Sequence, residues 1–162
     1  CCDSHRGCCF GVAEFPLRTQ LTWPVEPTSV GESVMAIRGH KPQPHHGVDL
    51  HCPAGTVVVS ACDARVMLVL DGRLSRDPKR KAAGLWIDCV SKNLCYRYLH
   101  LGITHVWEGE SVIAGQPLGT VADAHTSGLA ERPHLHFEIR VRTAAGYGES
   151  LNPLLYLPKR IS

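Results

Sequence analysis

The chain has 162 residues, of which 44% are hydrophobic and 20% are charged, as is typical of one globular domain with a sizeable core. A formal net charge of +2 gives no basic stripe for a nucleic acid. No stretch approaches the roughly 18 apolar residues that a transmembrane helix requires. We therefore expect neither nucleic-acid binding nor a membrane-spanning segment. These properties leave the question of which of the ten histidines converge on a site.

Eight cysteines favour an oxidising compartment and predict disulfide bonds. Cys89 and Cys95 flank a predicted turn and are one candidate pair, and Cys52 and Cys62 are a second. The chain starts at Cys1, which is compatible with a cleaved signal peptide and with a lipid anchor on that residue. We therefore expect a secreted or periplasmic protein of the cell envelope.

In chain order, residues 1–20 lack periodicity and are interpreted as a Cys-rich extension. The segments that follow are mostly short, rich in β-branched residues and separated by turns. Residues 71–81 are interpreted as a solvated cationic loop, and no amphipathic helix of 12 residues is evident. We predict an all-β, mainly antiparallel domain with few or no helices. The predicted strands cover residues 21–25, 57–59, 64–70, 84–90 and 95–100, with another short strand within 108–119 and the last at 133–140.

The last of these strands has a two-residue alternation. His134, His136 and Glu138 share one face, whereas Leu135, Phe137 and Ile139 share the other. At about 3.3 Å per residue, the two histidine backbones lie about 6.6 Å apart, so one imidazole can bind a metal while the other contacts water or substrate. Two such groups do not complete a metal site, and an exposed strand face is the alternative interpretation.

A second histidine-bearing stretch lies at residues 44–49. Pro44 and Gly47 argue against a helix, and in a fully extended strand His45 and Asp49 would stand about 13 Å apart. Gly47 permits a bend that brings them together. With His136 they form two imidazoles and a carboxylate, the set that a catalytic zinc uses when it keeps one position open. Spacing alone leaves open whether His45 or the adjacent His46 is the ligand.

Two further observations concern single residues. His100 ends an alternation with Tyr96 and Tyr98, which predicts that all three lie on one face of a strand; alone, such a histidine is more often structural. Glu138 is interpreted as support for the histidines or as a solvent-exposed side chain. The histidines at 5, 40, 51, 105 and 125 are expected on the surface.

The motifs His45-x-Gly47-x-Asp49, Tyr98-x-His100-Leu101 and His134-Leu135-His136-Phe137-Glu138 resemble, in this order, the lysostaphin/LytM-type zinc endopeptidases of peptidoglycan. The similarity covers residues 21–157 and leaves 158–162 as a C-terminal tail. It includes Pro53-Ala54-Gly55-Thr56 and the closing Asn152-Pro153-Leu154.

The resemblance implies one Zn²⁺ per chain, held by His45, Asp49 and His136. It also implies a catalytic pair, His100 and His134, that does not bind the metal. The expected fold is a small antiparallel sheet of the duplicated-hybrid-motif type, the expected substrate is a peptidoglycan peptide, and a monomer is expected.

One segment departs from the family pattern. The loop before the last strand contains Glu131-Arg132 where Thr-Gly is usual, which puts the substrate preference in question. An alternative function is a catalytically inactive LytM-like regulator that activates another cell-wall hydrolase. Such regulators typically lack some of the ligands. All five expected site residues are present here, which favours the enzyme.

Overall fold

The computed structural model describes residues 21–31 and 45–160. These residues form ten strands, one short α-helix and one turn of 3₁₀ helix. The predicted extension at 1–20 lies outside them. The strands are β1 (Ser29–Val30), β2 (Val48–His51), β3 (Val57–Val59), β4 (Ala64–Asp71), β5 (Leu85–Ser91), β6 (Leu94–Thr104), β7 (Ser111–Val112), β8 (Pro117–Val121), β9 (His134–Thr143) and β10 (Gly146–Leu151). The helix α1 spans Pro78–Ala83, and the 3₁₀ turn spans Pro153–Leu155.

The strands form one antiparallel sheet in the order β1-β2-β9-β6-β5-β4-β7, which confirms the predicted all-β class. β10 continues along β9 beyond β2, and β8 joins β3 to the far end of β6. The long strands β6 and β9 lie at the centre, paired from Leu94 with Val141 to Leu99 with His136. Every strand that contributes to the site is therefore adjacent to β9 or to β6.

One face of the central strands builds the hydrophobic core. Leu135, Phe137 and Ile139 are fully buried there, as their alternation predicted, and the rings of Phe137 and Tyr98 have centroids 5.2 Å apart. Burying a side chain of this size contributes roughly 1.5–3 kcal/mol. This face holds the sheet together, which leaves the opposite face of β9 free to carry polar side chains.

Residues 21–25 do not form the predicted first strand. Their backbone is held by loop contacts instead: Thr22 N donates to Ala61 O, and Val59 N donates to Pro24 O. Leu21 and Val25 are nevertheless buried in the core. The apolar pattern thus reported burial correctly but not strand pairing.

The predicted disulfides are also absent among the described cysteines, because Cys52, Cys62, Cys89 and Cys95 are all free, buried thiols. Cys89 pairs with Tyr96 and Cys95 pairs with Val90. Neighbouring residues on a strand point to opposite faces, so the two thiols cannot meet across the hairpin. The Sγ of Cys52 donates to the Leu50 carbonyl at 3.6 Å, whereas the hydrogen-bond partner of Cys62 is Tyr96.

The predicted loop at 71–81 contains the start of α1. Asp77 caps the helix by accepting a hydrogen bond from Lys79 N at 2.9 Å, and Pro78 occupies the first turn. Gly84 ends it with a φ of 74°, which favours glycine because it has no Cβ. No helix within residues 21–31 and 45–160 has the length and hydrophobicity of a transmembrane span.

The proposed domain limits at 21 and 157 stay predictions. The first residues after 157 contact the beginning of the described chain: Trp23 Nε1 donates to Pro158 O at 3.0 Å, and Arg160 lies over the Trp23 ring. These residues of the predicted tail therefore pack against the domain.

Candidate metal centre

Three side chains converge on one point of the polar face of β9. Asp49 on β2 stands directly across from His136 on β9, with Oδ1 of Asp49 2.8 Å from Nδ1 of His136. His45 Nε2 lies 3.1 Å from the same Oδ1 and 3.0 Å from His136 Nδ1. All three residues are buried.

The donor atoms of His45, Asp49 and His136, called the donor triangle below, have the chemistry that suits a zinc ion. Ligand atoms around a tetrahedral zinc with bonds of about 2.1 Å are about 3.4 Å apart, close to the three observed spacings. Two imidazole nitrogens and one carboxylate oxygen are also the donors that zinc prefers. The structure groups His45, and not His46, with Asp49 and His136.

His45 reaches the cluster because the chain bends just before β2, as the sequence suggested. The reason for Gly47 is close approach and not an unusual backbone angle, since its φ is outside the left-handed region. A Cβ there would lie 2.4 Å from Phe137 O and 2.9 Å from His136 Nε2. Any larger residue would push the His45 segment away from β9.

Glu138 orients the ring of His136. Its Oε1 lies 3.1 Å from His136 Nε2, on the side of the ring opposite to Asp49. A carboxylate only accepts hydrogen bonds when ionised, so this contact fixes a proton on Nε2 and leaves Nδ1 to face the cluster. Carboxylates commonly hold metal-binding histidines in this way. Glu138 is buried, so it is a supporting residue and not a solvent-exposed one.

His134 is held in a defined tautomer. Its Nδ1 lies 2.8 Å from the backbone oxygen of Arg132, and a carbonyl accepts but cannot donate, so Nδ1 carries the proton. Nε2 is thereby left with a lone pair, 3.6 Å from Asp49 Oδ1. The loop that departs from the family pattern at 131–132 thus contributes a backbone contact to the site.

His100 lies beside His134 and His136, with ring centroids 4.9 and 6.0 Å away. Strict alternation would have placed it with Tyr98 in the core, and that prediction is wrong. Leu85 and Ile87 on β5 pair with Leu101 and Tyr98 on β6, so β6 carries an extra residue there. His100 has a φ of 64°, and this bulge turns its side chain to the polar face.

The two imidazoles outside the donor triangle are predominantly neutral at pH 7. Burial, followed by electrostatic interactions with His134 and His136, lowers the pKa of His100 to about 3. Burial also lowers the pKa of His134, against the opposing effect of the Arg132 carbonyl. Neutral imidazoles keep a lone pair with which to accept a proton.

Charges within the donor triangle are strongly coupled. Burial alone would lower the pKa of His136, but hydrogen bonds to Asp49 and Glu138 raise it to about 9. Burial would raise the pKa of Asp49, yet its hydrogen bonds to His136 and His45 bring it well below the ordinary range. Without a metal, a proton on His136 therefore holds the triangle together.

A network of ionic side chains lies behind Glu138. Arg97 on β6 pairs across the strands with Glu138, and its Nε donates to Asp88 Oδ1 at 2.8 Å. Tyr147 donates to the other oxygen of Asp88 at 2.6 Å. Arg140 Nη1 lies 3.8 Å from Glu138. Sequence analysis did not identify this network, because its members are separated in sequence and meet only through strand register.

Two histidines outside the predicted site lie near it. His46 contacts Ser150, with Nδ1 3.2 Å from Oγ. His51, expected on the surface, is half-buried with its ring centroid 5.6 Å from that of His134. Neither belongs to the donor triangle.

A cleft of about 560 Å³ opens onto the cluster, lined by His100, His134 and His136. The helix α1 forms another part of its lining. Gly128 packs between α1 and His100, since a Cβ there would lie 2.3 Å from Ala82 O and 2.7 Å from His100 Nδ1.

A donor triangle of this kind beside two neutral imidazoles, on an antiparallel sheet, is characteristic of metal-dependent hydrolases. The comparison with known families agrees. Residues 43–153 match the model of peptidase family M23, and the chain belongs to this family. The predicted family is confirmed. The individual roles of His45, Asp49, His100, His134 and His136 stay predictions.

The relatives include proteins of two kinds. Peptidoglycan DD-endopeptidase ShyB of Vibrio cholerae is 37% identical over 101 residues, which are 61% of this chain and 21% of that protein. Murein hydrolase activator NlpD of Escherichia coli is 29% identical over 138 residues, which are 85% of this chain and 31% of that protein. The chain thus spans between a fifth and a third of the length of these relatives.

A solved structure described as a zinc-containing peptidase from Vibrio cholerae has a similar fold. The TM-score is 0.68 and the sequence identity is 26%. The match covers 87% of this chain and 41% of that one.

Proposed function

We propose that this chain is a zinc-dependent endopeptidase that hydrolyses peptide bonds in the stems or cross-bridges of bacterial peptidoglycan. The donor triangle of His45, Asp49 and His136, with His100 and His134 beside it in one cleft, carries this proposal. Membership of family M23 and the similarity to a peptidoglycan DD-endopeptidase support it. A substrate in the cell wall places the protein in the envelope, secreted or periplasmic, and we expect it to act as a monomer.

His45, Asp49 and His136 would hold the zinc. A bound zinc ion supplies a Lewis acid that activates water and polarises a carbonyl group. His134 presents the lone pair of Nε2 and is assigned the role of accepting the proton from water. His100, neutral in the same cleft, is assigned to stabilise the oxyanion by donating an N–H hydrogen bond. To protonate the leaving amine instead, it would first have to receive the proton that His134 takes from water.

The test combines metal analysis with muropeptide analysis by mass spectrometry. Purified peptidoglycans with polyglycine or D-Ala–diaminopimelate cross-links are digested with and without a chelator. His134→Ala should keep its zinc and lose about 10²–10⁴-fold in rate, the usual contribution of a general acid or base. His105→Ala, an exposed histidine outside the cleft, should match the wild type. Cleavage that resists the chelator, or zinc-loaded protein that cleaves neither substrate, would contradict the proposal.

The second candidate is an activator of another murein hydrolase. The match to NlpD over 85% of this chain favours it. An activator needs the fold and not the proton chemistry, so His134→Ala would still stimulate a partner hydrolase. If wild-type and variant protein stimulate equally and neither cleaves peptidoglycan alone, the activator function is the correct one.

A further inference from the structure

The cleft beside the donor triangle has an uneven charge. Four cationic side chains contribute to its lining, and the one carboxylate in the lining is Glu138. The cationic residues are Lys79, Arg80, Arg97 and Arg140. Whether this excess is available to a ligand depends on which of them already have partners within the protein.

The two inner cations are balanced. Arg97 binds Asp88 and lies 3.7 Å from Glu138, and Arg140 is also close to Glu138. Two positive charges thus face two buried negative charges. This set holds His136 in place and contributes no net charge to the cleft.

The two outer cations are not balanced. Lys79 and Arg80 are exposed residues of α1, and no described carboxylate forms a salt bridge with Lys79. Arg80 Nε lies 3.6 Å from Asp77, with both side chains about half exposed, and exposed pairs of this kind are weak. The net positive charge of the cleft therefore comes from α1.

Unpartnered buried atoms do not favour one kind of ligand. Trp86 Nε1 and Arg140 Nε are buried donors without an acceptor among the residues described, but Glu138 Oε2 and His100 Nδ1 are buried without a hydrogen-bond partner as well, and all four residues line the cleft. The exposed charges of α1 are therefore the distinguishing feature, and a cationic wall complements a ligand that brings negative charge.

We infer that Lys79 and Arg80 select peptides that carry free carboxylates, so that an acidic cross-linked stem peptide is bound in preference to a neutral polyglycine bridge. This inference rests on the proposed function and names its substrate class. The sequence predicted that the cationic segment at 71–81 is a solvated connection. In this inference, its residues Lys79 and Arg80 form the wall of the cleft that determines specificity. The carboxylate would lie beside the reacting peptide bond, since α1 and His100 line the same cleft.

The experiment compares two synthetic cross-linked stem peptides that differ only in charge, one with free carboxylates and one with the same positions amidated. Binding is measured by fluorescence anisotropy on zinc-loaded His134→Ala protein, in which turnover is expected to be slow. Each exposed ion pair changes an equilibrium by up to about fivefold, so we expect about tenfold tighter binding of the acidic peptide. Added salt should reduce this preference.

The double substitution Lys79→Gln/Arg80→Gln should abolish the preference while binding of the amidated peptide is unchanged. Arg76→Gln is the matched control, because Arg76 is an exposed cation of the same segment outside the cleft. In the catalytically intact protein, the double substitution should raise KM for the acidic peptide and leave kcat unchanged.

Equal binding of the two peptides, no measurable binding of the acidic one, or a preference that survives the double substitution would overturn the inference. Failure of the proposed function is a separate result, because binding is measured independently of cleavage. A chain that prefers the acidic peptide but cleaves nothing would support the charged wall and refute the endopeptidase.

Discussion

Replacing Glu138 with glutamine tests how the polar face of β9 orients a metal ligand. The side chain keeps its size, and its Oε1 position can still accept a hydrogen bond from His136 Nε2. What it loses is the negative charge that lies 3.1 Å from that nitrogen and also faces Arg97 and Arg140. We expect zinc affinity to fall by about 10–100-fold, the usual effect of removing a supporting carboxylate.

The assay is competition for zinc against a fluorescent chelator, with circular dichroism to show that the variant is folded. Glu131→Gln is the control, because Glu131 is an exposed carboxylate of the neighbouring loop and should bind zinc like the wild type. Zinc affinity of Glu138→Gln within twofold of the wild type would refute the reasoning. It would show that strand geometry alone positions His136.

Three further predictions follow from the same contacts. Gly128→Ala should lower stability by about 1–3 kcal/mol, because Gly128 has a φ of 73°, and should lower kcat/KM, because a Cβ there would meet His100. Thermal melts and steady-state kinetics measure the two effects, and an unchanged kcat/KM would contradict the prediction. Because the pKa of His136 is raised to about 9, zinc must displace its proton, so the affinity for zinc should rise about tenfold per pH unit between pH 6 and 8. Calorimetry in buffers of different ionisation enthalpy should detect the released proton, and zinc binding that does not depend on pH would contradict the prediction. Tyr147→Phe removes the hydrogen bond to buried Asp88 and should cost about 1–3 kcal/mol in denaturant unfolding, whereas no loss would show that Arg97 suffices.

Local patterns in the sequence predicted those features that depend on local geometry. The two-residue alternation of β9 placed Leu135 and Phe137 in the core and His134 and His136 on the other face, because side chains alternate along a strand segment that has no bulge. The bend before Asp49 was also predictable from Pro44 and Gly47. The signals for α1 are present in Asp77, Pro78 and Gly84, as cap, first turn and terminator, but the polar, cationic composition of the segment favours a loop.

Features set by strand register could not be predicted in this way. Nothing local to Asp49 indicates that it pairs with His136. The donor types suggested grouping the two residues, and the resemblance to a family implied it. The face of His100 depends on one extra residue in β6, which reverses the alternation after Tyr98. Cys89 and Cys95 seemed able to pair across their turn, but register places the two thiols on opposite faces of the sheet.

The central claim is that hydrolysis depends on one metal ion at His45, Asp49 and His136. The most direct measurement returns zinc in steps to chelator-stripped protein while the cleavage of a cross-linked muropeptide is followed. We predict that activity rises in proportion to zinc and reaches its plateau at one ion per chain, and that Asp49→Ala neither binds the ion tightly nor recovers activity. Cleavage by the stripped protein, or full activity in Asp49→Ala, would contradict the claim.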